Sequence, residues 1–149
     1  MGPLVLLTAA CIAMPFALRN RPKGALAEYA PARQPPAATA TGARRLSVND
    51  VMSLQAAGLA LVVDVRSERS FEAGHIPGAL NVPLDEVEAR APDILRLAAG
   101  RALVTYCSCV HEHTSAVAAQ ALAGAGAKDV SALRGGYPAW VAHGGRVER

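Results

Sequence analysis

In the stretch Ala102-Leu103-Val104-Thr105-Tyr106-Cys107-Ser108-Cys109-Val110-His111-Glu112-His113-Thr114-Ser115-Ala116, an apolar run passes through a Cys/His loop into an alanine-rich segment. Ala102 to Tyr106 is short and apolar, as a buried strand would be. Ser115 to Ala125 is expected to be a helix, with Ala116, Ala119 and Ala123 on a close-packing face. A strand feeding a helix in this way is the repeating unit of a parallel α/β sheet. A thiol at such a turn lies near the positive end of the helix. There the thiolate is favoured, and backbone N–H groups can hold an anion. Cys107 and Cys109 are therefore the candidate reactive groups.

The same alternation extends upstream and downstream. Ser47-Val48-Asn49-Asp50 has capping-box spacing, with Asp in the place of Glu, and opens a helix that Gly58 closes. Leu59 to Val65 is a β-branched run, expected as a buried strand. Ser67 to Ala73 forms a short helix stopped by Gly74, and His75-Ile76-Pro77-Gly78 forms a turn. Ala79 to Val82 is a second strand. Asp85 to Ala98 is a helix with an acidic first turn, and Pro92 marks a break or restart. Val130 to Leu133 is a further strand, Gly135-Gly136 turns the chain, and Tyr137 to Ala142 is the last helix. Strands alternating with helices imply an open parallel sheet flanked by helices. Its ligand site lies beyond the carboxyl ends of the strands, where the Cys/His loop falls.

With 149 residues the chain has room for one ordinary domain and a tail. Hydrophobic residues make up 52% but aromatic ones only 4%, so Ala, Val and Leu must build the core. The net charge of +3 is unevenly spread. Residues 1–45 carry six basic side chains and one acid, whereas 46–149 carry nine basic and eleven acidic. The domain has no basic stripe, which argues against nucleic-acid binding. Three cysteines make no disulfide framework, and two of them are separated by a single residue.

Gly2 to Leu18 is uncharged and is followed by Arg19-Asn20-Arg21-Pro22-Lys23. Residues 1–18 read as an apolar helix acting as membrane segment or signal. Residues 19–45 read as a basic, Pro/Ala-rich disordered linker, and 46–149 as the globular domain. The positive-inside rule places the domain of such a membrane-associated protein in the cytoplasm. Cleavage after Ala25-Leu26-Ala27 would instead give a secreted or periplasmic domain. Cys11 is a small apolar residue of the first run.

Several pieces, in order, resemble the rhodanese-homology domain. They are Asp64-Val65-Arg66, Phe71-Glu72-Ala73-Gly74-His75-Ile76-Pro77-Gly78-Ala79, Asn81-Val82-Pro83, Tyr106-Cys107 and Leu133-Arg134-Gly135-Gly136-Tyr137-Pro138-Ala139-Trp140. The Cys-x-Cys loop with Glu and Thr-Ser following is similar to that of rhodanese domains joined to bacterial membrane proteins of the DedA type. The resemblance implies a sulfurtransferase fold in which one loop cysteine carries a persulfide, without a cofactor. The donor would be a thiosulfate-like anion or a persulfide, and the acceptor a thiol or other thiophile. The commonest family loop has a glycine three residues after the cysteine and Arg-Ser five and six after. Here neither Gly, Arg nor Lys lies between Cys107 and Ser115. Counting back from Ser115 favours Cys109 as the nucleophile, with a slight preference, and counting from Tyr106 favours Cys107.

Val110, His111, Glu112, His113, Thr114 and Ser115 are the candidate substrate-binding residues, joined by Asp64 and Arg66 at the end of the neighbouring strand. His111 or His113 would supply positive charge, and Glu112 would oppose an anionic donor. Asp64 and Arg66 serve equally well as an ion pair holding a turn. His75 is expected to bond within its own Pro-Gly turn, and Trp140 to pack in the core. A phosphatase would need Cys and Arg six apart, and neither cysteine has one. Two other classes remain open. One is a catalytically weak rhodanese-fold binding or regulatory module. The other is a metal-binding loop using Cys107, Cys109, His111 and His113, although four ligands so close cannot easily wrap one ion.

Overall fold

The computed structural model describes residues 42–149, which form an α/β domain with an all-parallel five-stranded sheet. The apolar 1–18 run, Cys11 and the linker up to residue 41 lie outside the described residues. Strands β1 (Arg45–Leu46), β2 (Ala60–Asp64), β3 (Leu80–Asn81), β4 (Ala102–Tyr106) and β5 (Val130–Leu133) stand in the order β1-β5-β4-β2-β3. Helices α1 (Val48–Ala56), α2 (Glu68–Ala73), α3 (Val87–Ala98), α4 (His113–Gly124) and α5 (Gly136–Ala142) connect or follow them.

The central strands are apolar on both sides because both faces of the sheet are covered. Val63 and Leu103 face α3 and α4, packing with Val87, Ala91, Ile94, Ala118 and Leu122. Val62, Val104, Tyr106 and Leu133 face the other way, against Val48, Val51, Ile76 and Trp140. Each buried Val, Leu or Ile contributes about 1.5–3 kcal/mol by leaving water. Small side chains on α4 let it sit close to the sheet. Its buried positions are Ser115, Ala116, Ala118, Ala119 and Leu122. Ala123, expected on that face, is exposed, because the buried stripe follows 115, 118, 119 and 122 instead.

The sequence expectations hold in outline and shift at the edges. Ser47 caps α1 with the full capping box, its hydroxyl accepting from the Asp50 N–H and the Asp50 carboxylate accepting from the Ser47 N–H. Pro92 does not interrupt α3, which runs through it. The discontinuity lies earlier, where a 3-10 turn at Leu84–Glu86 gives way to α3. Helix α4 begins at His113, two residues before the expected start, and α5 begins at Gly136. Arg45, assigned to the linker by composition, is in β1, which pairs with β5 through Arg45↔Ala132 and Leu46↔Leu133. Trp140 is core, with its indole N–H donating to the Arg146 carbonyl at 2.8 Å. His75 bonds backward to the Phe71 carbonyl (3.0 Å) and stacks on the Phe71 ring. That bond leads out of the Pro-Gly turn it was expected to hold, and the Gly78 N–H of the turn donates to Glu148.

Candidate functional site

The carboxyl ends of β2, β4 and β5 converge, and two clusters sit there. The first follows β2. Asp64 is fully buried and accepts both Nε and an Nη of Arg66, the latter at 2.5 Å. It also accepts the Tyr106 hydroxyl at 2.6 Å, and that hydroxyl oxygen accepts the Ile76 N–H. Arg66 donates further to the Gly74 carbonyl and lies over the Tyr137 ring, 4.1 Å from its centroid. Asn81 donates to the carbonyls of Asp64 and Arg66. Burial pushes the Tyr106 hydroxyl far above its ordinary pKa, and its bond to Asp64 adds to that, so it stays a donor. Asp64 and Arg66 thus pair with each other and hold the turn.

The second cluster is the loop after β4. Tyr106 and Cys107 take opposite faces of the sheet, because side chains alternate along a strand. Tyr106 points into the Asp64 network, and Cys107 packs with α3 and α4 at 2% exposure. Ser108 to His111 turn back so that the Glu112 N–H donates to the Cys109 carbonyl at 3.1 Å. Glu112 takes a left-handed conformation (φ 50°) as N-cap of α4. Its carbonyl then accepts the Ala116 N–H and the Ser115 hydroxyl.

Both sulfur atoms lie at the α4 N-terminus, where free N–H groups and the helix dipole meet. The backbone N–H groups of Thr114 and Ser115 favour the thiolates of Cys109 and Cys107, respectively. Cys107 Sγ donates to the Cys109 carbonyl at 3.7 Å, and Cys109 Sγ lies 3.4 Å from the Thr114 hydroxyl. The two thiols differ in consequence. Burial pushes the Cys107 thiol up, and its bond toward Cys109 adds to the rise. Burial also raises Cys109, but the Cys107 thiol and the Thr114 hydroxyl and N–H outweigh it and hold Cys109 below the ordinary thiol range. Cys109 is partly exposed, and Cys107 is sealed.

The other loop candidates divide by exposure. Val110, His111 and His113 are exposed, Thr114 is half-buried beside Cys109, and Ser115 is buried. The Glu112 carboxylate is nearly buried. It accepts the Gly135 N–H and, at 2.9 Å, the Arg45 Nε, so its charge is paired inside the protein. The four alternating Cys and His residues do not share a face, since the loop turns instead of extending. Among the described residues, no group of three or more His, Cys, Asp or Glu side chains is arranged to hold a metal ion.

Three contributors were not legible as site residues. The Tyr137 N–H donates to the Cys107 carbonyl at 2.8 Å. Gly136, at φ 57°, passes so close that a Cβ there would overlap the Cys107 carbonyl oxygen. Arg45 reaches the loop from β1. Gly135-Gly136 was a visible signal, but read only as a turn.

A pair of free thiols at a helix N-terminus, beyond the carboxyl edge of a parallel sheet, defines a cysteine-loop α/β protein. Residues 47–143 match the model of the rhodanese-like domain, and the chain belongs to that family. It is 37% identical to the thiosulfate sulfurtransferase GlpE of Shewanella oneidensis over 97 residues, 65% of this chain and 91% of that one. The structure is similar to the human single-domain sulfurtransferase, with a TM-score of 0.57 and 29% identity over 68% of this chain and 97% of that one. It is also similar to a Rhodopseudomonas palustris protein of unknown function described as a possible tyrosine phosphatase. There the TM-score is 0.63, with 28% identity over 71% of this chain and 85% of that one. The present loop carries no arginine with which to grip a phosphoryl group.

Proposed function

We propose that the domain is a sulfurtransferase in which Cys109 accepts sulfur as a persulfide. A thiosulfate-like anion or a persulfide is the donor, and a thiol or another thiophile takes the sulfur away. The observation that carries this reading is the division of labour between the two thiols. Cys109 is reachable, and its thiolate is favoured by Thr114 and by Cys107, whereas Cys107 is sealed and held as a thiol. The thiolate is the attacking form, so the reachable sulfur is the nucleophile. A persulfide anion there would meet the first N–H groups of α4. Val110, His111 and His113 are exposed on the same loop, and either imidazole would supply positive charge toward an anionic donor. Relatives named as thiosulfate sulfurtransferases support the same chemistry at the level of the family.

The test is sulfur transfer from thiosulfate to cyanide by the wild type, Cys109→Ser and Cys107→Ser. Transfer falls to background in Cys109→Ser and persists in Cys107→Ser. The Cys107→Ser chain also gains about 32 Da, one sulfur atom, on treatment with thiosulfate. Undiminished transfer by Cys109→Ser sinks the assignment.

For residues 2–18, the uncharged run ahead of Arg19, Arg21 and Lys23 supports a membrane anchor that leaves the domain on the cytoplasmic side. Release of the full chain from membranes by alkaline carbonate would count against it.

A further inference from the structure

Transfer of one sulfur atom uses one thiol, yet this loop brings two together. Cys107 Sγ reaches the Cys109 carbonyl at 3.7 Å, so the two thiols stand together at the head of α4. Both flanks of the Cys107-Ser108-Cys109 segment are pinned. The Cys107 carbonyl is held by the Tyr137 N–H at 2.8 Å, and the Cys109 carbonyl by the Glu112 N–H at 3.1 Å. Solvent reaches Cys109 but scarcely Cys107, which is 2% exposed. A sulfur delivered to Cys109 therefore arrives on the outer side, and Cys107 stands behind the atom that carries it.

We propose that Cys107 expels the delivered sulfur as hydrosulfide, so that the domain reduces sulfane sulfur with its own pair of thiols. This rests on the persulfide reading above. In the first step the Cys109 thiolate attacks the outer sulfur of thiosulfate. A bond forms from Cys109 Sγ to that sulfur, and sulfite leaves with the electron pair of the broken S–S bond. In the second step the Cys107 thiol proton passes to the outer sulfur, and the Cys107 thiolate attacks Cys109 Sγ. The bond to the delivered sulfur breaks, that sulfur leaves with the electron pair as HS⁻, and a Cys107–Cys109 disulfide remains. The two thiols together lose two electrons, and the sulfane sulfur gains two. An external thiol then reduces the disulfide and restores the dithiol.

Elementary thiol chemistry supports each part. Hydrosulfide is a weaker base than an alkyl thiolate and so leaves more readily. Holding the two sulfurs together makes the second attack intramolecular, which offsets the low thiolate fraction of a buried cysteine. A bridge spanning only Ser108 is strained, and strained disulfides are readily reduced. That lability suits a bond that must open in every cycle.

The experiment mixes reduced, desalted protein with thiosulfate in the absence of any thiol or cyanide, then reads released sulfide and intact mass. The wild type is expected to release about one equivalent of sulfide and to end about 2 Da lighter, the mass returning with dithiothreitol. Cys107→Ser is expected to release none and to stop about 32 Da heavier. If the wild type also stops about 32 Da heavier without sulfide, the expulsion step is overturned and the persulfide reading survives. If Cys107→Ser takes up no sulfur from thiosulfate, nor from a glutathione persulfide donor removed by desalting, the persulfide reading falls and this step with it.

Discussion

Strands β2 and β4 end side by side, with Asp64 in register with Tyr106, yet the turns that follow them do opposite things. After β2, each charged or polar group of Asp64, Arg66 and Tyr106 is bonded within the protein, and the cluster is closed to solvent. After β4, the N–H groups at the head of α4 meet two sulfur atoms, one of them open to solvent. The sheet offers both turns the same location. What separates them is where complementary charges meet: at the strand end itself after β2, and between Glu112 and Arg45 of β1 after β4. The β2 turn has a carboxylate and a guanidinium two residues apart and becomes a fastening. The β4 turn has thiols, weak hydrogen-bonding groups that leave the helix terminus available to an incoming anion.

Removing the charge match on the β2 side should have the largest effect. Asp64→Asn leaves the Arg66 guanidinium buried without its counter-ion, and about 3–5 kcal/mol of stability should be lost. Urea unfolding measures it, and a loss below about 1 kcal/mol would mean that the cluster is not a fastening. Gly136→Ala comes next. It sets a Cβ against the Cys107 carbonyl oxygen at a positive φ, so about 2–3 kcal/mol should be lost. Sulfur uptake should fall along with it, because the obstruction pushes on the loop itself. Glu112→Gln keeps an acceptor for the Gly135 N–H but removes the charge facing Arg45. About 1–2 kcal/mol is expected, read by urea unfolding.

The two thiols can be compared by pH without changing the fold. Thiolate increases as pH rises through each pKa, so Cys109, held low, should react with iodoacetamide at a lower pH than a free cysteine. Cys107, held high, should require a higher one. Alkylation profiles of Cys107→Ser and Cys109→Ser check this, and a reversed order would exchange the roles assigned to them. The smallest effect is expected at Val110, which is 66% exposed. Val110→Ser should change stability by less than about 0.5 kcal/mol.

Much of this domain was legible in its sequence, for physical reasons that vary by element. The cores of β2, β4 and β5 stand out as apolar runs because a parallel sheet is covered on both faces. The Ser47 cap is a purely local interaction, and its spacing shows in the chain. Strand β1 did not show. Two residues have no periodicity, and only pairing with Ala132 and Leu133 makes Arg45 and Leu46 a strand. The Cys loop was found from its neighbours, strand before and helix after. What Glu112 does was not readable, because its partners Gly135 and Arg45 lie 23 and 67 residues away. The contrast between the two thiols was equally hidden. It depends on the loop turning so that one sulfur faces the core and the other the solvent.

The placement of Arg45 bears on how the domain should be cut out for study. Hydropathy alone suggests a boundary at Leu46, which would discard the residue whose guanidinium reaches Glu112 and whose backbone begins the pairing with β5. A fragment started there would keep both cysteines and the whole recognisable family pattern. It would nonetheless lose the ionic partner of the loop's own N-cap. Starting a few residues earlier, at Gly42, retains that partner. A boundary drawn to keep the ion pair at the edge of the sheet thus falls earlier than the limits of sequence similarity.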